Sequence, residues 1–89
     1  MILSIITINY NNSEGLKKTL ESIKRINLEY ELIIVDGKSI DDSIKIAKSF
    51  ENTTSKFKLI TEKDNGIYDA MNKGVKSANG DWVIFMNSG

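Results

Sequence analysis

The chain has 89 residues, enough for one small α/β unit, with a hydrophobic fraction of 40% and a charged fraction of 27%, as in ordinary globular proteins. Its 12 basic and 12 acidic residues cancel, so no basic excess points to nucleic acid or to an anionic membrane surface. Cys and His are absent, which excludes disulfides, thiolate chemistry and imidazole as base or metal ligand; any metal needs oxygen ligands, and any proton transfer falls to Asp, Glu, Lys or Tyr.

Ile2 to Ile8 is apolar at nearly every position and rich in Ile, which predicts a strand buried on both faces. The stretch lacks the basic flank and cleavage site of a signal peptide. No apolar run approaches the ~20 residues that span a bilayer. A cytoplasmic location is therefore expected, with any peripheral attachment to the inner membrane made through missing regions. Asn9 to Ser13 reads as a loop with N-cap residues. Leu16, Leu20 and Ile23, followed by Ile26 or Asn27, recur at helical spacing. Glu31 to Val35 predicts a second strand, ending in Asp36-Gly37. Ser39 and Asp42 have capping-box spacing ahead of a helix with Ile44, Ala47 and Phe50 inward.

Phe57 to Thr61 predicts a short third strand. Glu62 to Gly66 is a polar turn. Ile67, Ala70, Met71, Val75 and Ala78 mark the stripe of a third helix, closed by Asn79-Gly80 with Gly80 suited to a left-handed C′ position. Trp82 to Met86 predicts a buried fourth strand, with Trp82 in the core, and Asn87-Ser88-Gly89 a loop at its carboxyl end. Hairpin turns at Asp36-Gly37 and Asn65-Gly66 are the alternative, but helical patterns begin directly after each. The order βαβαβαβ predicts a three-layer, Rossmann-like α/β fold with a parallel sheet of about four strands.

Ligands of open α/β sheets bind outside the carboxyl ends of the strands. Thr7 to Tyr10, Asp36 to Ser39 and Asn87 to Gly89 lie at such exits, and Asp64 to Asp69 opens the third helix, so these clusters are expected to meet. Asp36 has two readings that spacing leaves open: it accepts from the imide N–H of a base such as uracil, or it holds the tight turn with Gly37. Gly66, at a helix start, offers backbone N–H groups to a phosphate. Lys63 offers a cation, and Asp69 with Lys73 reads equally as a surface ion pair. Neither a dinucleotide fingerprint nor a P-loop is present.

The segments Ser4-Ile5-Ile6-Thr7-Ile8-Asn9-Tyr10-Asn11, Glu31-Leu32-Ile33-Ile34-Val35-Asp36-Gly37-Lys38-Ser39 with Asp41-Asp42, Asp64-Asn65-Gly66-Ile67-Tyr68-Asp69-Ala70-Met71-Asn72-Lys73-Gly74, and Ala78 to Gly89, in this order, resemble the amino-terminal, nucleotide-sugar-binding half of family 2 glycosyltransferases of the GT-A fold. The combination is similar to transferases of bacterial capsule, O-antigen and exopolysaccharide synthesis. The resemblance implies a partial GT-A fold and a nucleotide-diphosphate sugar donor, UDP-sugar favoured. Thr7, Asn9 and Tyr10 would line the base and Asp36 would bond it. Gly66 and Asp69 would face the diphosphate or sugar, with Lys63 beside them. Asn87 and Gly89 stand at the family's Asp-x-Asp position, whose acids hold Mg²⁺ or Mn²⁺ in intact enzymes. Asn87 and Gly89 replace those acids, Met71 stands where many relatives carry Arg, and the expected catalytic base lies beyond Gly89.

Residues 1–89 are accordingly expected to be a truncated donor-binding domain, without transferase activity or a bound cation of its own. The acceptor of the intact enzyme would be a glycan or lipid-linked molecule. A second reading is a nucleotide-binding module without catalysis. A signalling receiver domain is disfavoured, because Asn9 to Asn12 supplies no acidic cluster after the first strand. Truncation also predicts exposed apolar surface and self-association into a homo-oligomer.

Overall fold

The computed structural model describes residues 2–63 and 65–87. Its elements run β1 (Leu3–Asn9), α1 (Ser13–Lys24), β2 (Tyr30–Asp36), α2 (Ser43–Ser49), β3 (Phe57–Thr61), α3 (Ile67–Ser77) and β4 (Trp82–Phe85). The strands form one parallel sheet in the order β3-β2-β1-β4, as the βαβ succession predicts. β1 and β2 are central, and successive side chains in each point to opposite faces.

On one face Ile5, Leu32 and Ile34 meet Leu16, Leu20 and Ile23 of α1 and Ala47 of α2; all are buried. On the other face Ile6, Ile33 and Val35 meet Ala70 of α3. The sheet is thus sandwiched, which explains the unbroken apolar runs of its two central strands. α1 starts at Asn12, whose side-chain oxygen accepts from the Gly15 amide at 3.2 Å.

Several expectations are corrected. β4 is not buried: Trp82 is 59% exposed, and Val83, Ile84 and Phe85 are exposed as well. β4 is an edge strand paired only with β1, from Leu3↔Trp82 to Ile6↔Phe85, so its outer side meets no described element. Its apolar character does match the expected exposed apolar surface. Met86 lies past the strand and packs against the α1 side of the core.

In α3 the stripe is also different. Ile67 and Val75 are exposed, whereas Ala70 and Gly74 are buried. α3 approaches the sheet so closely that small residues four apart form the contact. In α2, Ile46 rather than Ile44 packs against the main core cluster. Asp42 is the N-cap residue of α2 but makes no side-chain cap bond, so the Ser39–Asp42 capping box does not form. Gly80 does not adopt the left-handed conformation. Its constraint is space: a Cβ there would collide with Ser4 Oγ and lie 2.8 Å from the Ile2 carbonyl oxygen and the Ser4 nitrogen.

At the amino-terminal pole of the sheet Glu31 is 2% exposed. Its Oε1 accepts from Ser4 Oγ at 2.9 Å and from the Asn79 amide at 2.8 Å, and Lys58 Nζ lies 3.4 Å from Oε2. Burial raises the Glu31 pKa, but the bonds from Asn79 and Ser4 and the Lys58 charge outweigh it, and the carboxyl is held below its ordinary value of 4.5. A carboxyl depressed on folding stabilises above its unfolded pKa and loses that contribution as pH falls through the folded value. Stability is therefore expected to fall on acidification below about pH 4.5, and Glu31→Gln is expected to flatten that dependence in urea titrations at stepped pH.

Candidate functional site

β1 and β2 end level with each other, with Asn9 opposite Asp36. The ladder continues one step, from the Gly37 amide to the Asn9 carbonyl at 3.0 Å. Beside this exit, on the α3 face, lies an open cleft of about 470 Å³ lined by Ile8, Asn9, Tyr10, Gly37, Lys63, Gly66, Ile67 and Ala70. Four residues expected at the site, Asn9, Tyr10, Lys63 and Gly66, are thus brought together. Gly37 and Ile8, which belong to the clusters expected to meet, join them, although neither was singled out as a ligand-binding residue.

The floor is rigid. Asp36 is 1% exposed. Its Oδ1 accepts from Asn9 Nδ2 at 3.0 Å and from Ser39 Oγ at 2.7 Å, and its Oδ2 accepts from the Ser39 amide at 2.8 Å. The turn-holding reading of Asp36 is therefore realised. A carboxylate offers about four acceptor positions, so one on Oδ2 is left by these three donors.

The β2–α2 loop is tied to the β1–α1 loop as well. Ser39 Oγ accepts from the Asn11 amide at 2.8 Å, Asn11 Oδ1 accepts from the Ile40 amide at 2.8 Å, and Asp41 accepts from the Ser13 and Ser43 amides. Bonds from Ser43 above all, joined by Ser13, hold the Asp41 carboxyl below its ordinary range against the opposing effect of desolvation. Asn11 and Lys38 both take positive φ, at 47° and 63°, to make these turns. Tyr10, between the two loops, is left 65% exposed, so its ring is available to a ligand.

The opposite wall is the start of α3. Gly66 is its N-cap residue, with φ 107° and ψ 177° and no side-chain cap bond. That backbone region is essentially reserved for glycine, and the first-turn N–H groups stay available to an anion. Gly66→Ala is expected to cost roughly 1–3 kcal/mol through strain alone, since an added Cβ would meet nothing within 4 Å. Thermal unfolding of the variant measures it.

Asp69 is directed to this turn rather than to the cleft. Its Oδ2 accepts from the Asn65 amide at 3.0 Å and lies 3.3 Å from Lys73 Nζ. The Asn65 bond first, and Lys73 second, hold its carboxyl below the ordinary range. Lys73 also reaches the Lys63 carbonyl and Glu62, so the helix start is braced from behind.

Two further residues lie elsewhere. Thr7 is fully buried, and alternation places it on the α1–α2 face with Ile5; its Oγ1 has no partner among the described residues. Asn87 is exposed and does not line the cleft; its carbonyl accepts from Thr19 Oγ1 of α1 at 3.1 Å. β4 stops opposite Ile6, three residues before β1 ends, so the chain leaves the sheet early on the α1 side. Gly89 and Ser88 lie outside the described residues, as does Asp64. Among the described residues no group of three Asp or Glu side chains converges, and no helix is long and apolar enough to cross a membrane.

A family model described as glycosyl transferase family 2 matches residues 4–88. The chain belongs to this family. It is 37% identical over 89 residues to a PGL/p-HBAD biosynthesis glycosyltransferase of Mycobacterium bovis, covering 98% of this chain and 35% of that one. The chain thus spans about a third of the length of such family 2 relatives. Among solved structures it is similar to TarS 1-349 of S. aureus in complex with UDP-GlcNAc, with a TM-score of 0.90 and 26% identity, over 99% of this chain and 26% of that one. The fold also matches the mannosyltransferase PcManGT of Pyrobaculum calidifontis, solved with GDP-Man and Mn²⁺, at a TM-score of 0.86 and 21% identity, over 97% of this chain and 27% of that one. The resemblance to family 2 glycosyltransferases and the partial GT-A fold are therefore established.

Proposed function

We propose that residues 1–89 form the donor-binding part of an inverting glycosyltransferase that moves a sugar from a nucleotide diphosphate, UDP-sugar favoured, to a glycan or lipid-linked acceptor in bacterial surface polysaccharide synthesis. The observation that carries this reading is the cleft at the β1 and β2 exits, which sets the Tyr10 ring, the Lys63 cation and an uncapped helix start around one space. The UDP-GlcNAc bound by TarS supports a uridine donor.

The residues divide the ligand between them. Tyr10 supplies a ring on which a base stacks. Asp36, buried and outside the cleft lining, ties the two strand exits together behind it. The diphosphate lies toward the start of α3, where the Gly66 region presents backbone N–H groups and the positive end of the helix dipole. Lys63 adds a cation at the same wall. These groups favour the charge that grows on the departing nucleotide as the glycosidic bond breaks. Thr7 and Asp69 act behind this surface, Thr7 within the sheet and Asp69 as the brace of the Asn65–Gly66 turn. Asn87, which the resemblance puts at the cation-binding position, lies outside the cleft lining.

Isothermal titration of the 89-residue chain with UDP and, separately, ADP tests the reading. Saturable heat with UDP and at least tenfold weaker binding of ADP is expected, since the adenine edge presents an acceptor where uracil presents the imide donor. Absence of UDP binding by a folded chain would contradict it.

A further inference from the structure

Lys63 and Gly66 line one wall of the cleft, and α3 grips the segment that carries them through a pair of its own residues four apart. Asp69 Oδ2 accepts from the Asn65 amide at 3.0 Å, one residue before Gly66. Lys73 Nζ donates to the Lys63 carbonyl at 2.9 Å. The same ammonium lies 3.3 Å from Glu62 Oε1 and 3.3 Å from Asp69 Oδ2, in a side chain only 20% exposed. One cation thus joins the backbone of the wall to two carboxylates. Lys73 itself does not line the cleft, so it acts on a ligand there only through these neighbours.

The two carboxylates are badly placed for an anion site. Glu62 adjoins Lys63 in the chain, and Asp69 lies in the first turn of α3, where it already takes up the helix dipole's preference for negative charge. Charges this close to the wall lie within a Debye length of about 8 Å and are poorly screened by salt. We propose that Lys73 is a positioning residue for the diphosphate: its ammonium fixes the Lys63–Gly66 wall through the Lys63 carbonyl and neutralises the Glu62 and Asp69 carboxylates behind it, so that neither repels an anion held at the front. The proposal rests on the donor-binding reading above. Without the ammonium, the wall loses a tether and two negative charges face the phosphates uncompensated.

The experiment compares the affinities of UDP and uridine, by amide NMR titration, for the wild-type chain and for Lys73→Met. Uridine carries the same base and ribose without phosphate, so the ratio of the two affinities reads the diphosphate alone. The wild type is expected to prefer UDP. In Lys73→Met, UDP affinity is expected to fall roughly fivefold while uridine affinity holds, and Lys73→Arg, which keeps the charge, is expected to restore most of the loss. Equal weakening of both ligands, an unchanged ratio, or a wild-type chain that binds UDP no better than uridine would overturn the proposal while leaving the pocket for the base intact. A wild-type chain that binds neither ligand would overturn both. Should Lys73→Met fail to fold, Glu62→Gln decides, since that side chain is 56% exposed and its loss leaves the Asp69 and Lys63 contacts of Lys73 in place. Removing one of the two charges is expected to strengthen UDP about twofold at low salt and to leave uridine unchanged. UDP affinity that stays the same or falls in Glu62→Gln would overturn the proposal.

Discussion

Gly74→Val is expected to destabilise the protein by ~3 kcal/mol or more, at the upper end of what overpacking usually costs. Gly74 sits inside α3, where intrinsic propensity disfavours glycine by about 1 kcal/mol relative to alanine. A substitution there would ordinarily help the helix. The geometry reverses the sign. A Cβ at Gly74 would lie 2.5 Å from Ile6 Cγ2, 3.3 Å from Ile6 Cδ1 and 3.4 Å from Val35 Cγ2.

Ile6 and Val35 are fully buried in the two central strands and have no room to retreat. Even Gly74→Ala must push α3 off the sheet or force Ile6 off its rotamer, and valine adds two methyl groups to the collision. Small domains have roughly 0.05–0.15 kcal/mol of stability per residue, so the loss is a large part of the total here. Urea unfolding followed by circular dichroism measures it. A Gly74→Val chain as stable as the wild type would show that α3 does not pack this closely.

Asp36→Asn is expected to destabilise the protein by about 1–3 kcal/mol, because it leaves buried polar groups unpaired at the strand exits. The substitution keeps the shape and replaces one acceptor with an NH₂ donor. Whichever way the amide turns, that donor faces another donor: the Ser39 amide on one side, or Asn9 Nδ2 on the other. UDP binding is expected to weaken with it, since Asn9 and Gly37 at the cleft sit on the exits that Asp36 ties together. Thermal unfolding and isothermal titration on the same preparation follow the two effects. An Asp36→Asn chain as stable as the wild type would show that Asp36 does not hold these exits.

Much of this was legible in the residues because physics gave it a clear pattern. The doubly covered strands β1 and β2 announced themselves by unbroken Ile and Val, and Leu16, Leu20 and Ile23 by helical spacing. That Asn9, Tyr10, Lys63 and Gly66 would meet was legible because strand exits and helix starts of a parallel α/β unit face one crevice. The failures have definite causes. An apolar run signals that a strand suits burial, not that a neighbour covers it, so β4 was misjudged at the sheet edge.

The α3 stripe misled because large apolar residues were taken as the contact, whereas close approach selects Ala70 and Gly74; small residues four apart were the available signal. The family resemblance put Thr7 at the base, whereas strand alternation puts its side chain on the face of Ile5, away from the cleft. Gly80 looked like a helix stop and is instead confined by the backbone of Ile2 and Ser4. The grip of Ser39 on Asp36 could be suspected from the spacing of three, but only the structure shows that both carboxylate oxygens and both loops are joined by it.

The central claim is that the cleft beside β1, β2 and α3 is a nucleotide pocket. It is tested most directly by an amide NMR titration of the chain with UDP, in the presence and absence of Mg²⁺. The account predicts shifts centred on Asn9, Tyr10, Asp36, Gly37 and Gly66, largely indifferent to Mg²⁺. A well-dispersed spectrum with no shifts, or shifts gathered at the opposite pole around Lys56, Lys58 and Asn79, would contradict it.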